Sequence, residues 1–111
     1  MSGEHTPAEK LEVTLRFEKL SDLIWEEVAK WPVFAQNTVG QQLVRSSDSV
    51  AANIIEGGYR EGDPDALRFF GIARGSAAET AYWIRRSLQR GLLGESKENN
   101  FWRSARRPAS C

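Results

Sequence analysis

The chain has 111 residues and a formal net charge of zero, which fits a single domain spanning residues 1–111. Apolar residues make up 41% of it, and no window approaches the ~18 apolar residues that a membrane helix needs. One cysteine, Cys111, and one histidine, His5, cannot form an internal disulfide or a zinc site, so we predict no metal and no cofactor. The N-terminus lacks an apolar signal region, so we expect a cytoplasmic protein without membrane contact.

The first predicted helix carries one apolar stripe at steps of three and four residues: Phe17, Leu20, Ile24, Val28 and Trp31. Thr6-Pro7-Ala8-Glu9 has the form of a capping box, so the helix begins there or only after Val13. Residues 1–10 are expected to be flexible. Pro32 ends the helix, because proline disfavours helical backbone in the preceding residue. Trp25 and Trp31 are both interpreted as core residues.

The second predicted helix runs from Asn37 or Thr38 to Glu56. It has a main apolar stripe and a second strip about 100° away, so it is expected to be wedged between neighbours. The stripe contains Val39, Leu43, Ser46, Ser47, Val50 and Ile54, and the strip contains Val44, Ala51 and Ile55. Gly57-Gly58 is interpreted as the C-cap, because glycine adopts the left-handed conformation freely.

The third predicted helix opens at Asp63-Pro64 and runs to about Arg90, with Gly91 as its stop. Its core stripe contains Phe69, Ala73, Ala77, Thr80, Ile84 and Leu88. A second stripe consists only of small residues: Gly71, Gly75 and Ala78. A glycine inside a helix costs about 1 kcal/mol relative to alanine, so the pair is either merely tolerated or marks an oligomer interface with close backbone approach.

The last segment, residues 95–111, is polar, basic and weakly patterned. Ser96 is a candidate cap for a short helix of one or two turns holding Phe101 and Trp102. Together the four segments predict an all-α protein, an antiparallel up-and-down four-helix bundle with a short or irregular fourth helix.

A polar stripe lies on the second helix at steps of 4, 4 and 3 residues: Arg45, Ser49, Asn53 and Glu56. It has no histidine and no second carboxylate, which makes it a poor acid–base set, and no phosphate-binding loop precedes it. It is either a solvated face or a buried network across helices that includes Arg74 and Glu79.

Three stretches resemble a known family in order and spacing: LEVTLRFEKLSDLIWEEVAKWP, QQLVRSSDSVAANIIEGGYREG and ALRFFGIARGSAAET. They are similar to the four-helix-bundle proteins encoded in intervening sequences of bacterial 23S rRNA genes, also labelled S23 ribosomal proteins. The resemblance covers about Leu11 to Leu93. It implies a non-enzymatic bundle that assembles into a homo-oligomer, usually a pentamer.

A related branch of that family is the accessory protein of diversity-generating retroelements, which binds nucleic acid and a reverse transcriptase through a basic surface. This chain departs from the family at two points. Ile55 stands where the family usually has alanine, and residues 95–111 are shorter and less amphipathic than the family's long fourth helix.

Charge is unevenly placed along the chain. Residues 1–80 carry eight Lys or Arg against thirteen Asp or Glu, whereas residues 81–111 carry seven against two. Arginine outnumbers lysine eleven to four, which favours bidentate or stacked contacts. The asymmetry indicates either a basic surface for nucleic acid or complementary surfaces of an oligomer.

Two functions therefore stay open. The first is an oligomeric module that binds RNA or DNA through Arg85, Arg86, Arg90, Arg103, Arg106 and Arg107, with Trp83, Phe101 and Trp102 adding stacking. The second is an oligomeric scaffold without a nucleic-acid role, in which Arg85, Arg86 and Arg90 complement the C-terminal dipole of the third helix and pair with a neighbour's acids. No nucleophile–base pair is present, so we do not predict an enzyme, and the sequence does not name a partner protein.

Overall fold

The computed structural model describes residues 7–106, and these residues form four helices. Helix α1 spans Pro7–Val28. Helix α2 is a continuous helical run made of Val33–Ala35, a π-helical turn Gln36–Gly40, and Gln41–Tyr59. Helix α3 spans Ala66–Gln89 and helix α4 spans Glu95–Ala105. No strand occurs within residues 7–106, so the predicted all-α four-helix bundle is confirmed.

Helix α1 starts at the earlier of the two predicted positions. Pro7 is its first residue, so residues 7–10 lie in the helix; Thr6, the candidate cap, lies outside the described residues. The predicted core stripe is confirmed, since Leu20, Ile24, Val28 and Trp31 are buried. Trp25 was wrongly assigned to the core, because its side chain is 63% exposed.

Helix α2 begins at Val33, earlier than predicted, because the corner after α1 is itself helical. The Gln36 side-chain amide donates hydrogen bonds to the carbonyl oxygens of Val28 (3.3 Å) and Ala29 (3.0 Å). The Val28 carbonyl oxygen also accepts a hydrogen bond from the Trp31 backbone N–H (3.0 Å), so Gln36 adds to the capping of the first helix from the start of the next. The π turn then brings Gly40 against Val28.

The prediction that Gly57-Gly58 forms the C-cap was wrong. Helix α2 continues through Tyr59, and among the described residues the glycines with positive φ are Gly62 (92°) and Gly91 (74°). Gly57 is instead a packing position, since a Cβ built on it would lie 2.6 Å from Cε1 of Phe70. A glycine is required there by the close approach of α3.

Helix α3 begins two residues later than Pro64. The Asp63 carboxylate accepts a hydrogen bond from the Asp65 backbone N–H (2.8 Å) and closes the turn before the helix. At the other end, Gly91 stops the helix as predicted, with the left-handed conformation that glycine adopts without strain.

The core lies where α1, α2, α3 and α4 meet. Helix α2 is central and packs on α1 and α3, while α4 packs mainly on α1. Phe101, only 2% exposed, is the anchor of α4, and α4 holds 11 residues, about three turns. The fourth helix is therefore regular, and longer than the one or two turns predicted. Its cap is Gly94, while Ser96 is exposed inside the helix.

Candidate interaction surfaces

A polar seam joins α2 to α3. The Asn53 amide donates to the Ser49 hydroxyl (2.9 Å) and carbonyl (2.8 Å), and the Ser76 hydroxyl donates to Ser49 Oγ (2.8 Å). Deeper in the interface, the Thr80 hydroxyl lies 3.0 Å from Ser46 Oγ and 2.8 Å from the Ser76 carbonyl oxygen. The seam satisfies its own hydroxyls, so it holds two helices together.

The charged residues predicted for this network lie elsewhere. Arg45 donates to Gln42 (3.0 Å) and Arg60 donates to Glu56 (2.8 Å), both within one helix or its cap. Glu79 accepts a hydrogen bond from the Trp83 indole N–H (3.1 Å). Arg74 is exposed and makes no ion pair with any residue between 7 and 106.

The network thus joins different residues from those predicted, and only Ser49 and Asn53 are common to both sets. Ser46, Ser76 and Thr80 were missed as its members. Two of them could have been predicted from the sequence, because Ser46 and Thr80 fall inside the predicted apolar stripes of facing helices. A hydroxyl in such a stripe needs a partner when buried.

Five of the six arginines proposed for nucleic-acid binding are described, and Arg107 lies outside the described residues. Arg85 and Arg86 lie in the last two turns of α3, Arg90 is its C-cap, and Arg103 and Arg106 lie at the end of α4. Arg86 is half-buried and the other four are exposed. Among residues 7–106, none of the five pairs with a carboxylate.

Arg68 lies on α3 with Arg85 and Arg86, but it differs from the five arginines because it already pairs with a carboxylate. Its guanidinium donates two hydrogen bonds to Asp65, at 2.7 and 2.9 Å. These hydrogen bonds lower the pKa of the Asp65 carboxyl and raise the pKa of Arg68. The charge of Arg68 is therefore locally neutralised, whereas the charges of the arginine set are not.

The aromatic residues predicted to stack on bases are less exposed than that role requires. Phe101 is buried in the core, which overturns its assignment as a stacking residue. Trp83 and Trp102 are half-buried, and their indole N–H groups donate to Glu79 (3.1 Å) and Glu98 (3.4 Å). Tyr82 is 44% exposed and was missed; the Arg85 guanidinium lies 5.4 Å from its ring centre.

The small-residue stripe of α3 faces away from the rest of the described chain. Gly75 and Ala78 are exposed and Gly71 is half-exposed. A Cβ built on Gly71 or Gly75 would meet no atom within 4 Å. The close backbone approach that these glycines allow is therefore not made within residues 7–106.

An open groove lies between α1 and α3, with α2 as its floor. Its volume is about 650 Å³ and its walls are mainly apolar: Val13 and Phe17 on α1, Val50 and Ile54 on α2, and Ala66, Leu67, Phe70, Ala73 and Ala77 on α3. Arg74 lies on the wall, and Lys10, Glu61 and Asp63 lie at the end remote from α4. Helix α4 covers the other half of the trough between these helices.

Residues 7–106 contain no group of three or more His, Cys, Asp or Glu side chains that can hold a metal ion. Within the same range, every helix is too short or too polar to cross a membrane.

Comparison with known proteins agrees with the four-helix architecture. Residues 9–107 match the model of a family described as 23S rRNA-intervening sequence protein. Comparison with curated proteins returned no match. The family model covers almost the whole chain, including α4 despite its shortness, and the chain therefore belongs to the 23S rRNA-intervening sequence protein family.

Proposed function

We propose that this protein is a non-enzymatic, cytoplasmic homo-oligomer that binds RNA or DNA through the arginine set Arg85, Arg86, Arg90, Arg103 and Arg106. The observation that carries the proposal is that none of these five guanidinium groups pairs with a carboxylate among residues 7–106. Four of them are exposed, and half-buried Arg86 donates to the side-chain oxygen of Gln89 (2.7 Å). Exposed guanidinium groups without a carboxylate partner are available for phosphate oxygens, and binding them releases counterions from the nucleic acid. Tyr82, whose ring centre lies 5.4 Å from the Arg85 guanidinium, is 44% exposed next to these arginines.

Oligomerisation rests on the small-residue stripe of α3. Two glycines in a helix interior together destabilise it by about 2 kcal/mol relative to alanine, and nothing in the described chain uses the space they leave. Close packing of a helix of another subunit against Gly71, Gly75 and Ala78 offsets this destabilisation. The family resemblance favours a pentamer. A scaffold without nucleic acid is the second candidate, and the zero net charge of the chain favours it.

The arginine surface predicts a steep dependence of nucleic-acid binding on salt. With five phosphate contacts, the affinity for a labelled mixed-sequence RNA should fall about 10²–10³-fold between about 50 and 200 mM salt. The double variant Arg85→Ala/Arg86→Ala should reduce the slope of log affinity against log salt by about 2. The measurement is fluorescence anisotropy across a salt series.

Arg68→Ala is the matched control, because Arg68 lies on the same helix but is already bonded to Asp65. Its salt slope should stay close to that of the unmodified protein. An affinity for RNA that does not change with salt, or equal slopes for the double variant and the unmodified protein, would leave the scaffold as the better proposal.

The glycine stripe predicts opposite effects on folding and on assembly. Gly75→Ala should stabilise the isolated helix by up to about 1 kcal/mol, because its Cβ meets no neighbour in the chain. The same methyl group should weaken assembly, because it keeps a second backbone at a distance. Sedimentation equilibrium measures the assembly and chemical denaturation measures the stability.

Gly58→Ala serves as the control for this experiment. Gly58 also lies inside a helix with open space around its Cβ, but it lies on α2, outside the stripe. It should gain stability without any change in assembly. If Gly75→Ala and Gly58→Ala assemble equally well, the stripe is not the interface.

A further inference from the structure

The trough between α1 and α3 is filled along only half of its length. Helix α3 has 24 residues and α4 has 11, so α3 is longer by 13 residues. At a rise of about 1.5 Å per residue, this leaves about 20 Å of the trough without a fourth helix. The uncovered half is the groove, lined by the first half of α1, the second half of α2 and the first half of α3. Helix α4 runs from the Gly91 turn toward it.

The shape of the groove suits a helix. Three parallel walls leave the position that a full-length fourth helix takes in a bundle, where neighbouring axes lie 8–10 Å apart. Along α3 the lining residues Ala66, Ala73 and Ala77 are small, so large apolar side chains of an incoming helix have room there. Phe17 and Phe70 flank that space from opposite sides.

The charges of the groove define its occupant further. Arg74 on the wall has no acidic partner among residues 7–106, so a carboxylate of the occupant can pair with it. At the remote end, three acidic residues, Glu9, Glu61 and Asp63, lie with one cation, Lys10, whose ammonium is 2.6 Å from Glu61. That end is acidic and favours a basic residue.

We propose that the groove binds an amphipathic helix of about three turns from a different protein. This helix carries large apolar residues on one face, a carboxylate opposite Arg74 and a basic residue facing Glu61 and Asp63. A second copy of the chain fits less well on charge. Its α1 exposes an apolar stripe of Leu11, Leu15 and Trp25. The positions between them are Glu18 and Asp22, so this stripe brings no basic residue to Glu61 and Asp63.

The test uses the full chain and a fluorescein-labelled synthetic peptide of about 13 residues. The peptide has leucines at helical spacing, one glutamate in the middle and lysine at one end; a scrambled peptide of the same composition is its control. We expect saturable binding of the patterned peptide and none of the scrambled one. Arg74→Glu should weaken binding about tenfold or more, and a peptide with lysine in place of its central glutamate should restore the affinity.

Lys19→Glu is the matched charge reversal, since Lys19 is exposed on α1 and does not line the groove. Lys19→Glu should change the affinity less than twofold, whereas Arg74→Glu should weaken binding about tenfold or more. Equal binding of both peptides, or equal effects of the two reversals, would overturn the proposal. Self-association of the protein that Arg74→Glu abolishes and Lys19→Glu preserves would also overturn it, in favour of a second copy in the groove.

Discussion

Replacing Phe101 with alanine should destabilise the protein by about 3–5 kcal/mol, the usual cost of emptying a buried aromatic site. Phe101 is 2% exposed and belongs to the same buried cluster as Leu20, Ile24 and Ile84. It is also the one fully buried side chain of α4 within the described residues, so its loss should release that helix. Urea denaturation followed by circular dichroism gives the change in the free energy of unfolding.

Phe34→Ala is the matched control for Phe101→Ala. The substitution is chemically identical, but Phe34 is 79% exposed, and an exposed position is expected to change stability by at most about 0.5 kcal/mol. A similar small change for Phe101→Ala would mean that α4 does not pack on the bundle in solution. The trough would then be open along its whole length.

Gly40→Ala should destabilise the protein by about 1–3 kcal/mol, even though alanine is the better helix former. Gly40 has ordinary helical dihedral angles (φ −59°, ψ −44°), so its backbone accepts alanine. The obstacle is space: the new Cβ would lie 2.6 Å from Val28 Cγ1 and 3.0 Å from the Ala35 carbonyl oxygen. A β-branched side chain and a helix backbone have little freedom to move aside.

Gly58→Ala, in the same helical run, separates this packing effect from helix propensity. Its Cβ meets nothing within 4 Å, so the substitution should raise the free energy of unfolding by up to about 1 kcal/mol. The two variants should therefore move the denaturation midpoint in opposite directions. A stabilised Gly40→Ala protein would show that the corner between α1 and α2 is looser than its contacts indicate.

The roles of the individual side chains followed the sequence less closely than the helices did. Trp25 and Trp31 have the same chemistry and lie six residues apart, yet one is exposed and the other is buried. Phe101 and Trp102 are neighbours, and only the first enters the core. Residue type alone does not distinguish the members of such a pair, because it contains no information on which side of a helix packs against another helix.

The candidate sites also differ in how much of each could be predicted from the sequence. The arginines of α3 and α4 were proposed from charge alone, since a local excess of basic residues is visible in the sequence, and their binding of nucleic acid stays a prediction. The seam of Ser46, Ser49, Ser76 and Thr80 was found only in part, because its hydrogen bonds join residues about 30 positions apart. The groove was not predicted, since it is defined by the region that α4 does not cover.

The sequence by itself determined the four helices, the apolar stripes of the first three and the stop at Gly91, because helical period, proline and glycine act within a few residues of the chain. Only the tertiary structure shows that close packing requires glycine at positions 40 and 57 and which residues form the seam between α2 and α3. It alone also decides that Phe101 is buried and that half of the trough is open. Each of these depends on atoms brought together from distant positions, and their approach is set by how the stripes pack rather than by the stripes themselves.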